Sequence, residues 1–444
     1  MLAHIAILAV FLLLLIFSIS KWNIHPFVAL ILTGMGLGLA MGMGGEKTVE
    51  VLLQGFGDTL RWIAIIVILG AFIGEVLQET GGALRVSDRV VAWVGKKNLP
   101  WAMGATGYIV SIPVFVDVAY ILLQPVIESL SVKSKKPVLY LGLALTAGLT
   151  VSHTLIPPTP GPMAVASMMN VALADMLFVN GFVAILAMAG GVLWVVLYCK
   201  NAWIVYDEKL RKEHGAAEIE ASESDMAGAG VFADLLPILV PIALIGLGSF
   251  VPKESETLVS GLFRFTGIPL VAVLIGAGIA AFSYSRTVKQ SSLNRLTEQA
   301  IVKSALVIMI TGAGGALGQV IRATGVQNEL ITVFSEFPFI GMMLPFLIAA
   351  ILTTSTGSIT VSLVATASMI GPIVDTLPVS PQIAAALIGC GSFCVFHANS
   401  SFFWLLNRLH EVPPQTLYRT YTVQSLIMGF SGLLGVLLLM LLGF

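Results

Sequence analysis

Bilayer-length apolar stretches recur along the chain, roughly at 2–20, 26–43, 62–78, 138–155, 178–199, 233–250, 267–284, 304–321 and 420–442. An α-helix needs about 20 apolar residues to cross about 30 Å of hydrocarbon. In hydrocarbon every backbone polar group must be paired internally, which leaves helices as the reading of such stretches. Hydrophobic residues make up 57% of the 444 and charged ones 11%, against about 45–50% and about 25% in soluble domains, so the bilayer is the solvent. The first stretch has no Lys or Arg in Met1–His4 and no small-residue cleavage site before Lys21-Trp22, so it is expected to be a retained helix rather than a signal peptide.

Several functions are excluded or disfavoured. A net charge of −1 with scattered basic residues gives no phosphate-tracking stripe, so nucleic acid is not an expected partner. Cys199, Cys390 and Cys394 make no disulfide framework and lack metal-ligand spacing; they read as small buried residues, and no metal or cofactor is expected. There is no GxxxxGK[ST] loop, HExxH or GxSxG, so the chain is not expected to be an enzyme.

The chain matches itself. Displaced by 244 positions, Gly70–Val76 falls on Gly314–Val320, Thr80-Gly81 on Thr324-Gly325, Pro137 on Pro381 and His153 on His397. Transporters are often built from two such units. The expected division is N-terminal helices at 1–54, a first repeat at 55–200, a polar linker with two connecting helices at 201–298, and a second repeat at 299–444. An inverted pair is the arrangement that suits alternating access. The polar run Lys209–Asp225 is expected on the cytoplasmic face. The Gly70/Gly74 and Gly314/Gly318 pairs are GxxxG patterns and read as close helix packing.

Four stretches combine helix breakers with hydroxyls, amides or ionisable groups: 111–117, 152–162, 353–360 and 397–401. A helix broken at mid-membrane exposes N–H groups at one new end and carbonyls at the other, which bind an anion or a cation without a fixed charge. Ser111, Thr159, Ser355, Ser358, Asn399 and Ser400 are candidate substrate ligands, together with the equivalent pair His153 and His397. Pro157–Pro162 also reads as a plain loop, the hydroxyls of 353–360 as bonds to the preceding turn, and the histidines as packing partners. Asp117 and Glu75 are carboxylates inside apolar stretches, where charge is costly, and are candidate ion or proton groups. Glu75 lies near a helix end, where it can also cap or snorkel. The broken stretches hold no Lys or Arg to pair a carboxylate.

At these motifs, namely Ser111–Asp117, Ala147–Pro162, Thr311–Val320 and Phe396–Trp404, the sequence resembles the gluconate permease family of sugar-acid:proton symporters. The resemblance spans nearly the whole chain. It implies an all-α polytopic inner-membrane protein with two inverted repeats, about ten to twelve spanning segments, two re-entrant hairpins and unwound helices. It also implies uptake of a small hydroxylated carboxylate such as gluconate with a proton, and a homodimer. The family pattern has a histidine between the prolines where this chain has Thr159, and usually an aspartate where it has Ser400. Those two departures leave open sodium in place of the proton, and glycerate, another aldonate or a polar amino acid in place of gluconate. A passive channel or a non-transporting sensor is the reading from another class.

Overall fold

The structure is a computed structural model, described here for residues 2–95, 98–199, 231–251, 257–287, 292–398 and 400–443. The described residues are helical, with no strand among them. The polar run Lys209–Asp225 and Asn399 lie outside the described residues.

Two helices, α1 (Leu2–Ser20) and α2 (Pro26–Ala40), precede a long helix α3 (Gly45–Glu79). Gly81 then takes a left-handed turn (φ 68°), and α4 (Gly82–Val94), α5 (Leu99–Val110), α6 (Val116–Ser134), α7 (Val138–Leu155), α8 (Pro160–Met168) and α9 (Leu173–Trp194) follow. Helices α10 (Val231–Phe250), α11 (Leu258–Thr266) and α12 (Pro269–Thr287) connect to a second long helix, α13 (Leu293–Thr324). The order then recurs. Gly325 is left-handed (φ 72°), and α14 (Gln327–Glu336), α15 (Pro338–Thr356), α16 (Ile359–Ile370), α17 (Pro381–Ser392), α18 (Ser401–His410), the single turn α19 (Pro414–Leu417) and α20 (Val423–Leu441) complete the chain. A π turn, Tyr418–Thr422, leads into α20, and another, Val195–Cys199, follows α9.

The expected unit boundaries at 54/55 and 298/299 fall inside α3 and α13, because both long helices begin with a polar N-terminal part before the apolar one. Among the described residues, seven helices are long and apolar enough to cross a membrane, or eight if the bent α3 is one span. The sequence reading of ten to twelve counts shorter apolar helices that this criterion leaves aside.

The two long helices pack against each other antiparallel. A Cβ on Gly55 would meet the Gly315 carbonyl, while Glu75 pairs with Lys303 and Glu79 with Arg295, each at 2.6 Å. Lys303 and Arg322 are about 28 Å apart along α13 at 1.5 Å per residue, close to the hydrocarbon thickness, so they mark opposite membrane faces. Arg322 Nη2 donates to the Met168 carbonyl at 3.2 Å, which puts the end of α8 at its face. The broken helix α7–α8 therefore runs from the Lys303 face to the Arg322 face, with its break between them. Lys133, Lys135 and Lys136, just before α7, lie at the Lys303 face.

Candidate substrate cavity

Each of the four expected breaks interrupts a helix, and nearby side chains take up the freed backbone groups. At 111–115 the Ser111 hydroxyl donates to the Val114 carbonyl at 2.9 Å. At 156–159 Thr159 Oγ1 donates to the Ile156 carbonyl at 2.6 Å, and Asn180 on α9 donates to the Leu155 carbonyl at 2.9 Å. At 357–358 Gly357 is left-handed (φ 70°), Thr356 Oγ1 accepts from Ser358 N–H, and Ser358 Oγ caps α16 through Val361 N–H. The break after α17 is held by Ser425 Oγ, which accepts from Phe396 N–H at 2.9 Å, and by His397, whose Nε2 hydrogen bonds to the Thr354 carbonyl at 2.9 Å.

Three of the breaks open on one cavity of about 300 Å³, and the helix entering the fourth contributes to its wall. Phe115, Val116 and Asp117 come from the start of α6; Thr150 and His153 from α7; Thr356 to Thr360 from the tip between α15 and α16; Phe396, Ser400, Ser401 and Phe402 from the start of α18; and Tyr421 from the π turn. That volume is at the small end of ligand pockets, about 300–1,000 Å³. Its decisive feature is orientation. Helices α6, α16 and α18 all begin at this cavity, so three N-terminal ends, each with partial positive charge and unpaired N–H groups, converge on it. Neither Phe115 nor Ser400 caps its helix with a side chain, which leaves those first-turn amides available to an anion. No Lys or Arg lines the cavity among the described residues.

Aromatic rings frame the hydroxyls. Phe115 lies 5.5 Å from the His153 ring, Tyr421 stacks on Phe396 at 5.7 Å, and the Tyr421 hydroxyl is turned to Ser400. His153 Nδ1 is buried with no protein partner.

Of the residues singled out from sequence, Asp117, His153, Ser358 and Ser400 meet in this cavity. Ser111 and Thr159 are buried and tied to the backbone of their own breaks, and His397 is tied to the end of α15. Ser355 is half-buried at the end of α15 and does not line the cavity. Glu75 lies at the Lys303 face, paired with that lysine. The GxxxG glycines of α3 face backbone at the breaks rather than a neighbouring helix: a Cβ on Gly74 would meet the Pro113 carbonyl, and one on Gly70 the Pro158 carbonyl. Sequence reasoning passed over Thr150, Thr360, Ser401 and Tyr421. Thr360 and Ser401 lie inside stretches already marked, whereas Tyr421 carries no local signal.

The family model for GntP family permeases matches residues 1–442. This chain belongs to the GntP permease family. Among relatives of this permease, the high-affinity gluconate transporter of Escherichia coli is 28% identical over 98% of this chain and 99% of its own length. The Gnt-II system L-idonate transporter of the same organism is 29% identical over 96% of both chains. Among solved structures, Neisseria gonorrhoeae MtrF, titled as illuminating a class of antimetabolite efflux pumps, superposes with a TM-score of 0.71 at 14% identity, over 95% of this chain and 96% of its own. That likeness establishes a shared helical fold. This GntP permease is thus a multi-pass membrane transporter and not an enzyme.

Proposed function

We propose that this permease imports a small hydroxylated carboxylate, gluconate or a related sugar acid, with a proton. The observation that carries the reading is the convergence of three helix N-termini on a hydroxyl-lined cavity with one carboxyl group and, among the described residues, no Lys or Arg. Helix ends attract the substrate carboxylate, while Ser358, Thr360, Ser400 and Ser401 match its hydroxyls. Each neutral hydrogen bond contributes about 0.5–1.5 kcal/mol, and each one to the charged end about 1.5–3. Such a cage binds moderately and releases readily, as a carrier requires. Relatives named for gluconate and L-idonate point to the same substrate class.

Asp117 is the coupling group in this reading, since among the described residues it is the one acidic side chain in the lining. Ser111, Thr159 and His397 hold the breaks in shape. The antiparallel packing of the equivalent helices α3 and α13 supports an inverted pair of repeats moving against each other. Lys133, Lys135 and Lys136 favour a cytoplasmic assignment for the Lys303 face, in an inner membrane.

The test is uptake into proteoliposomes driven by a proton gradient alone or a sodium gradient alone, with sugar acids, glycerate and serine as competitors. Proton-driven accumulation of gluconate, inhibited by other aldonates and not by serine, is the expected result. Accumulation with sodium only, or equilibration without accumulation, overturns the coupling. Preference for serine overturns the substrate class.

A further inference from the structure

Beyond the cavity lining, α6 carries a line of polar side chains that substrate binding does not use. Asp117, Tyr120, Gln124 and Glu128 are spaced by three, four and four residues, which places them on one face of the helix. Asp117 is in the cavity, and the line leads toward the Lys133 end of α6. Tyr120 is fully buried, and its hydroxyl shares a 2.6 Å hydrogen bond with His410 Nε2 at the end of α18. Its ring packs edge-on, 5.3 Å between centroids, against Phe402, which lines the cavity. Further along, Gln124 Nε2 donates to Glu128 Oε1 at 2.9 Å, and Gln124 Oε1 is buried without a protein partner. His410 is half-buried and directly precedes the exposed Glu411.

A buried phenol paired with a half-buried imidazole is costly to desolvate, and two apolar rings would join α6 to α18 as well. We propose that this face of α6 is the path of the coupling proton between the cavity and the lysine-bearing face, with Tyr120 and His410 as its relay. The proposal rests on the proton-driven reading above.

The Asp117 carboxyl loses its proton, through a bridging water, to the Tyr120 oxygen as the Tyr120 O–H bond breaks and an N–H bond forms at His410 Nε2. A carboxylate and an imidazolium result, and the imidazolium releases its Nδ1 proton to water at the Glu411 turn. Glu128, which acts electrostatically on Tyr120 and is held by Gln124, favours the imidazolium. Among the described residues, the other ionisable groups on the two helices packed most closely on α6 are Tyr140 and His153 on α7 and Arg85, Asp88 and Arg89 on α4, with Arg85 paired to Asp234; Tyr421 on the π turn faces the cavity end.

The full chain, reconstituted with a pH-sensitive dye inside the vesicles, is assayed for protons moved per gluconate and for gluconate/gluconate exchange. Tyr120→Phe and His410→Gln are expected to keep exchange within about twofold and lower substrate-driven proton flux at least tenfold. Glu128→Gln is expected to move the pH dependence of uptake toward acid, because the imidazolium loses its counter-charge. Wild-type proton flux per gluconate in both relay variants overturns the proposal. So does an equal loss of flux and exchange combined with an unshifted Glu128→Gln profile, the pattern of a purely structural staple. If the wild-type protein moves no proton with gluconate, it is the proton-driven reading that fails, a result visible before any variant is made.

Discussion

The two repeats bring unlike chemistry to one cavity. The first supplies its carboxyl and imidazole groups, Asp117 at the start of α6 and His153 near the end of α7. The second supplies mainly hydroxyls: Thr356, Ser358, Thr360, Ser400, Ser401 and the phenol of Tyr421. Displaced by 244 positions, Asp117 falls on Val361, so the acid has no counterpart in the second copy. The breaks and helix ends recur in both halves of the chain, whereas on the proposed reading the proton-coupling group lies in the first half and most substrate-binding hydroxyls in the second. The long helices diverge in the same way. Gly70 and Gly74 press on the backbone of two breaks, whereas Gly314 and Gly318 border a separate cavity of about 170 Å³ beside Arg322.

The largest expected effect breaks the comparison on its acidic side. Asp117→Asn is expected to abolish gradient-driven accumulation, at least tenfold, with measurable substrate exchange remaining; full concentrative uptake by this variant would remove the asymmetry between repeats. Next comes the glycine pair. Gly74→Ala drives a methyl group into the Pro113 carbonyl, an overpacking cost of about 1–3 kcal/mol, and is expected to lower both membrane yield and transport several-fold. Gly318→Ala, whose nearest neighbours would lie at 3.6 Å, is expected to be close to silent in the same assay, and equal damage at both sites would show that the two helices pack alike.

On the hydroxyl side, Ser358→Ala is expected to weaken apparent affinity about tenfold, as the loss of about 1.4 kcal/mol predicts, at matched expression. The smallest effect is expected at Thr159→Val. Its hydroxyl serves the Ile156 carbonyl outside the cavity, so apparent affinity for gluconate should stay within about twofold, and a tenfold change would return Thr159 to the binding site.

The positions of the breaks were legible in the sequence because Pro, Gly and hydroxyls cannot extend a helix through hydrocarbon, and Asp117 stood out because charge there is costly. Direction was not legible. Ser111 and Ser358 look alike in sequence, yet the first turns back on its own break while the second caps α16 facing the cavity. Glu75 read as an intramembrane acid because its partner, Lys303, lies in the other repeat. Tyr421 was missed because its place in the lining depends on how the π turn packs against α18, which no local pattern reports.

The antiparallel contact between α3 and α13 joins equivalent surfaces of the two repeats, which makes it isologous, like the interface of a twofold dimer. The ion pairs and the glycine crossing lie within the two long helices themselves rather than in the peptide that joins the repeats. A permease made as two polypeptides, 1–199 and 231–444, retains the ion pairs Glu75–Lys303 and Glu79–Arg295 and the crossing at Gly55 and Gly315, so the halves should find each other in the bilayer and transport as a complemented pair.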